Sequence, residues 1–185
     1  MSKLPRLFVK FKLEGGTDCA LEKDQAHYLG NVLRLEQGER LLLFNGRDGE
    51  WRAVLTAIGR KGARVAVERR TRPQEDGPDL HYLFAPLKRA RLDYMAQKAT
   101  ELGASALRPV LTRHTVAERV NTGRLRANAI EAAEQCGILR VPEVMEPEKL
   151  PGLLERWDEN RLLVFADEAA PLASPLAALG ARKPG

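Results

Sequence analysis

The stretch Thr71–Asp79, TRPQEDGPD, constrains the fold more than any other. It holds two prolines, one glycine and three acidic residues and has no large apolar side chain. Neither a helix nor a half-buried strand runs comfortably through such a composition. The 185 residues suffice for one large domain or two small ones. A break at this point, with the linker drawn at 73–79, favours two.

Before the break the chain reads as short strands and tight turns. Arg64–Glu68 (RVAVE) alternates apolar and polar residues, Trp51–Ile58 (WRAVLTAI) does so in part, and Leu41–Phe44 is a short buried-strand run. Asn45-Gly46, Asp48-Gly49 and Gly59–Gly62 stand at hairpin spacing between them. One helix interrupts the pattern in DQAHYLGNVLR, with Asp24 as N-cap and Ala26, Leu29 and Leu33 on one face. Residues 1–72 are therefore expected to form a small β-barrel with an inserted helix.

After the break, apolar runs alternate with amphipathic helices. His81–Pro86, Ala106–Thr112 and Arg161–Asp167 read as strands of a mostly parallel sheet. Leu92, Met95, Ala99 and Leu102 mark one helix, closed by Gly103; Leu125, Ala129, Ala132 and Cys136 mark a second, closed by Gly137. Cys136 is thereby expected among the core residues, and Glu134 and Gln135 at an exposed or interface end of the helix. Residues 80–185 form the second expected domain, and the whole is an α+β two-domain chain.

Several chemistries are disfavoured by composition. No apolar stretch reaches the roughly 20 residues a bilayer-spanning helix needs, and the N-terminal segment lacks a signal-peptide apolar run. A cytoplasmic protein without membrane contact is expected. Cys19 and Cys136 lie far apart, and His27, His81 and His114 form no ligand pair at metal spacing. No disulfide framework or metal site is expected, and no P-loop, GxGxxG or HExxH is present.

Charge points toward anions. The chain carries 30 Lys and Arg against 25 Asp and Glu, and Arg60–Arg72 alone has six basic residues and one acid. On an alternating strand Arg64 points away from Val65 and Val67, so the outer edge either meets phosphates or is a charged edge that resists aggregation. Lys88, Arg89 and Arg91 follow the carboxyl end of the first strand of the second part, where open α/β sheets bind ligands. A helix starting there adds the anion preference of its N-terminus. Arg108, Arg113, His114 and Arg119 extend the cluster near the next strand end.

Three strings carry a family resemblance: HYLGNVLRLEQGERLLLFNGRDGEW, LKRARLDYMAQKATELGASALRPVLTRHTV and EAAEQCGILRVPEV. Together they resemble the ribosomal RNA small subunit methyltransferase E family over nearly the whole chain. The resemblance implies a PUA-like β-barrel followed by a SPOUT-type α/β domain with a trefoil knot. It implies methyl transfer from S-adenosylmethionine to N3 of a uridine in 16S ribosomal RNA of the small subunit, by a cytoplasmic homodimer. His27 and Arg34 fall in the matching barrel segment and carry its RNA-binding role. Lys88, Arg91, Glu101, Arg113, Glu134, Gln135 and Arg140 occupy matching positions in the second part, where Arg89-Ala90 replaces the family's usual Gly-Asp.

The expected RNA-binding set is therefore His27, Arg34, Arg69, Arg70, Arg72, Lys88, Arg89 and Arg113. Arg91 and Arg140 are the catalytic candidates. The family's glycine-rich GPEGG-like segment does not occur before Gly185. The knot and most of the cofactor pocket are thus expected to be incomplete in this chain, which as it stands is expected to be inactive. Asp167 and Glu168 would contribute only a rim of the cofactor site. A non-catalytic RNA-binding module lacking the cofactor site is the alternative reading.

Overall fold

The computed structural model describes residues 4–115, 119–167, 169, 171 and 179–180. They fall into two compact units, Met1–Leu150 and Pro151–Gly185. The first opens with five strands: β1 (Arg6–Phe8), β2 (Asp18–Ala20), β3 (Arg40–Phe44), β4 (Glu50–Gly59) and β5 (Gly62–Arg72). They pair in the order β1-β3-β4-β5-β2, all antiparallel except β1 on β3. Alternation sets the inner face: Leu41, Leu43, Ala53, Leu55, Ala63, Val65 and Val67 are buried against Leu7, Val9 and Leu29. Three register shifts between β4 and β5 bend this long hairpin, which lets one sheet curl around its own core.

The loop joining β3 to β4 is held by its own side chains. Asn45 Oδ1 accepts the N–H groups of Arg47 and Asp48, and Asn45 Nδ2 donates to Asp48 Oδ2 at 2.6 Å. The Leu13 N–H also donates to Asp48, and these bonds hold its carboxyl below the usual carboxylate range, the Leu13 bond most.

The inserted helix differs from expectation at both ends. Its regular part, α1, spans Lys23–His27, and its N-cap is Glu22 rather than Asp24. Glu22 and Gln25 form a reciprocal capping box, with the Glu22 N–H donating to Gln25 Oε1 at 3.0 Å. That pairing satisfies two orphan donors at once, which moves the start upstream of Asp24. The helix then widens into a π-helical turn, Tyr28–Val32. Gly30 lies in that turn against Ile58, whose Cδ1 is 3.1 Å from where a Cβ would stand.

Residues 73–80 have no regular structure, and the parallel sheet follows. β6 (His81–Phe84) pairs with β7 (Ala106–Leu111), and β7 also receives the short strands β8 (Glu143–Val144) and β9 (Glu148–Lys149). Helices α2 (Arg89–Glu101) and α3 (Thr122–Cys136) pack together over it, burying Phe84, Ala96, Leu107, Leu125 and Ala129. Gly103 and Gly137 take φ of +87° and +84° and end the two helices as expected.

Two expectations fail here. Arg161–Asp167 is not a strand: residues 162–167 are irregular, and Leu162 to Phe165 are exposed. An apolar run becomes a strand only with a ladder partner, and beside β7 those places go to β8 and β9. Cys136 is an exposed free thiol, not a core residue. It is the last residue of α3, and the helix's buried stripe ends with Ala129, Ala132 and Ala133. Helix α4 (Leu150–Glu155) follows β9 directly and carries the chain into the second unit, and its Leu153 is buried.

Candidate nucleic-acid interface and cleft

Cationic residues gather in two places. On the barrel, Trp51 stands across from Arg70, and Arg52 from Arg69, in the β4–β5 ladder. Like charges directly opposite destabilise a sheet. Arg52 is matched by Glu68 at 2.5 Å, whereas Arg69 and Arg70 are exposed and have no carboxylate partner among the described residues. Arg64 and Arg72 are less free than the sequence implies. Arg64 pairs with Asp18, and Arg72 donates to the carbonyl of Gly137 at 2.8 Å. The usable part of the basic segment is thus its Arg69-Arg70 step, with Arg60 and Lys61 exposed at the hairpin tip.

His27 and Arg34 are exposed on either side of the π-helical turn. Arg34 has φ of +55°, the one non-glycine residue with positive φ among those described. It occupies the left-handed position that closes the turn, where the Leu35 N–H reaches the Leu29 carbonyl at 2.9 Å. A helix of L-residues usually places glycine there, because a Cβ in this conformation costs roughly 1–2 kcal/mol. Arg34→Gly is therefore expected to stabilise the fold by about 0.5 kcal/mol, after the extra freedom glycine brings to the unfolded chain. Urea unfolding reads this directly. A destabilised variant would mean that the Arg34 side chain contributes packing that offsets its strain.

The second place is a cleft of about 1060 Å³ at the carboxyl ends of β6 and β7. The first turns of α2 and α3 both line it, as the topology of a parallel sheet requires. Lys88, Arg89, Arg119 and Arg124 bring positive charge, and Leu87, Leu92, Leu111, Val120 and Leu125 give apolar wall. Asp93 ties the two helices: Arg124 donates to both its oxygens and Asn128 to one at 2.7 Å. Chiefly the Arg124 bonds hold the Asp93 carboxyl below its usual range, and Arg89 adds to this. Glu146 also lines the cleft, accepting from Thr122 Oγ1 at 3.2 Å. Its distance in sequence from the basic motifs hides it from a motif-based reading.

The expected site residues divide. Lys88 and Arg89 line the cleft. Arg91, two residues past Arg89, instead borders a separate apolar groove of about 630 Å³ with Tyr82, Tyr94 and Leu102. Arg113 and His114 are exposed beyond β7. Arg140 is half-buried and holds the linker, donating to the carbonyl of Asp76 at 2.5 Å. Glu134 is not an exposed helix end, because its Oε1 accepts the Phe8 N–H at 2.8 Å. Burial, which outweighs that bond, pushes its carboxyl above the usual range. Asp167 is exposed in the second unit, and Glu168 lies outside the described residues. Among the described residues no group of His, Cys, Asp and Glu suits a metal ion, and no helix is long and apolar enough to cross a membrane.

Comparison with known proteins agrees with this architecture. Family models match an RNA methyltransferase PUA domain over residues 21–68 and an RNA methyltransferase domain over residues 74–183. Ribosomal RNA small subunit methyltransferase E of Rickettsia conorii is 30% identical over 167 residues, covering 90% of this chain and 68% of the relative. The Bacillus subtilis protein of the same name is 25% identical, covering 93% and 70%. Among solved structures, the Neisseria gonorrhoeae enzyme of that name, bound to S-adenosyl methionine, superposes with a TM-score of 0.78 at 25% identity, covering 85% of this chain and 67% of that one. A Legionella pneumophila protein in complex with the same cofactor gives 0.79, also at 25% identity, covering 86% and 69%. Sheet order, the barrel preceding the parallel sheet and these matches together place the chain in the ribosomal RNA small subunit methyltransferase E family.

Proposed function

We propose that this protein transfers a methyl group from S-adenosylmethionine to N3 of a uridine in the 16S RNA of the small ribosomal subunit. The observation that carries the reading is the pairing of an RNA-directed basic face, Arg69 and Arg70, with a cationic cleft at the strand ends of a methyltransferase-type sheet. The family's trefoil knot, homodimer and cytoplasmic setting come with the same reading.

Uracil N3 is a poor nucleophile until its proton leaves, and negative charge then spreads onto the two ring oxygens. A site for this reaction needs cations or N–H donors fixed where that charge appears. Lys88 and Arg89 at the start of α2 meet that need, and α3 adds its first turn to the cleft. Arg124 is held by Asp93, so its position does not depend on the RNA. Glu146 is the cleft carboxylate without an arginine partner among the described residues. It is assigned the role of accepting the N3 proton, directly or through water. When bound, the cofactor supplies an electrophilic methyl on a positively charged sulfonium. That charge is a poor match for a mouth bearing Lys88, Arg89 and Arg119 against the one carboxylate of Glu146, since Arg124 and Asp93 cancel each other. The described cleft residues therefore fit the target nucleotide, and the cofactor's seat is not assigned to them.

The reading is tested by incubating the protein with S-adenosylmethionine and unmethylated small subunits, then digesting the RNA to nucleosides. N3-methyluridine by mass spectrometry is the expected product when the protein carries the family's GPEGG-like segment, and RNA binding without any methylated nucleoside would favour the non-catalytic module. Replacing Arg69 and Arg70 by alanine should weaken subunit binding and flatten the plot of log affinity against log salt by about one unit per lost phosphate contact. An unchanged slope would return these arginines to a solvated strand edge.

A further inference from the structure

We infer that Arg6 is a positioning residue for this reaction, holding the barrel at one fixed angle to α3 and so setting where barrel-bound RNA meets the cleft. The inference rests on the function proposed above.

Arg6 lies on β1, yet its side chain is 4% exposed because it is sunk into the end of a helix from the other half of the unit. Its Nε donates to Glu50 at 2.8 Å. Its Nη1 donates to the carbonyls of Ala133 at 2.6 Å and Glu134 at 3.0 Å, and its Nη2 to that of Ile138 at 3.2 Å. The guanidinium also lies 4.6 Å from the centre of the Phe44 ring. The second oxygen of Glu50 accepts from Thr71 at 3.0 Å. The Ala133 and Glu134 carbonyls belong to the last turn of α3, the former also accepting the Gly137 N–H at 3.2 Å, and the Ile138 carbonyl lies just past the helix, so the bonds put a cation at the helix's negative end.

Two more contacts close the joint. The Phe8 N–H donates to Glu134, and Arg72 donates to the Gly137 carbonyl. Phe44, Ala133 and Leu139 are buried together beneath them. Strands β1, β3 and β5 thus reach one helix end, and β4 holds Arg6 through Glu50. The opposite end of α3 lines the cleft with Asn121, Thr122 and Arg124. Fifteen helical residues separate these ends, a stiff rod of about 22 Å.

Stability alone does not call for such a joint. Apolar residues of similar volume usually hold a buried interface as well as an ion pair does. What the planar fork adds is direction, since four bonds to one carboxylate and three carbonyls are met together at a single orientation. Lysine, a point charge on a flexible stem, cannot span them. A rigid link lets the barrel's grip on RNA raise the effective concentration of the target nucleotide at the cleft; a loose one dilutes it.

The test is Arg6→Lys in the protein, with the double variant Arg6→Met plus Glu50→Leu as a second arm that strands no buried charge. Cofactor stoichiometry by calorimetry, subunit affinity across salt and steady-state methylation are measured for each. In both variants stoichiometry and salt slope should match wild type, because neither Arg6 nor Glu50 lines the cleft or belongs to the Arg69-Arg70 face. Subunit affinity and kcat/KM should fall at least about tenfold, with KM rising. Wild-type kcat and KM in a folded variant would overturn the proposal, as would losses that track a reduced cofactor stoichiometry, the mark of partial unfolding. Failure of the wild-type protein to methylate subunits would instead defeat the proposed function, and this inference with it.

Discussion

Gly49→Ala is expected to destabilise the protein by roughly 3 kcal/mol or more, a large share of the stability of an ordinary domain. Gly49 has φ of +85°, and a Cβ built there would lie 2.3 Å from the Arg72 carbonyl oxygen and 3.0 Å from the Gln74 nitrogen. All three nearest atoms belong to backbone, so no side chain can swing aside. The left-handed conformation costs about 1–2 kcal/mol for alanine, and the clash adds to that. Gly16 provides the control, since its φ is +84° and nothing lies within 4 Å of where its Cβ would stand. Gly16→Ala should therefore show the conformational cost alone. Equal losses in urea denaturation would mean that β5 can shift away at Arg72 and that the close approach carries no weight. Because the linker leaves the barrel at this point, the Gly49 variant is also expected to move the exit of residues 73–80.

The second large effect separates stability from activity. Helix α2 starts with Lys88 as N-cap, which makes no side-chain capping bond, and with no acidic residue in its first turn. Arg89 and Arg91 follow, so three cations crowd the positive end of a helix. Each such charge is unfavourable by about 0.3–1 kcal/mol, and a missing cap costs about 1 kcal/mol more. Arg89 offsets a little of this through its attraction to Asp93. Lys88→Asp with Arg89→Glu is expected to stabilise the protein by about 1–2 kcal/mol, seen as a higher Tm. The same change should lower kcat/KM for small subunits by at least about a hundredfold, because the cleft loses charge where the uracil oxygens or a phosphate would sit. A stabilised variant with wild-type methylation would show these residues to be solvated surface. A loss of both stability and activity would show that they hold α2 in place.

Local pattern made much of the fold legible. Alternation over Arg64–Glu68 marked β5, and the apolar spacing of α2 and α3, with glycines at their ends, marked the two helices. Pattern failed where partners decide. Leu162–Phe165 has the composition of a strand without its ladder, and β8 and β9 are two residues each, too short for any periodicity. The site divides the same way. Lys88 and Arg89 were visible because strand ends collect ligands, and the structure sets them in the cleft. Arg6 was not, and Glu134 was only through the resemblance, because their roles come from each other's elements across more than a hundred residues. Arg91 shows the limit of position along the chain, for the two residues past Arg89, about 200° around the helix, carry it from the cleft to the neighbouring groove.

The clasp on α3 also imposes an order on synthesis. Arg6 and Glu50 leave the ribosome early, but Ile138, whose carbonyl completes the guanidinium's contacts, follows Arg72 by 66 residues. At about 5–20 residues per second that interval is roughly 3–13 s. During it, a nascent chain with all five barrel strands made has Glu50 already able to meet Arg6 and Thr71, but the three carbonyls that complete the Arg6 guanidinium's contacts do not yet exist. The barrel therefore spends those seconds with its Arg6 and Phe44 end open to water, and its last step toward the native state waits for the helix rather than for its own strands.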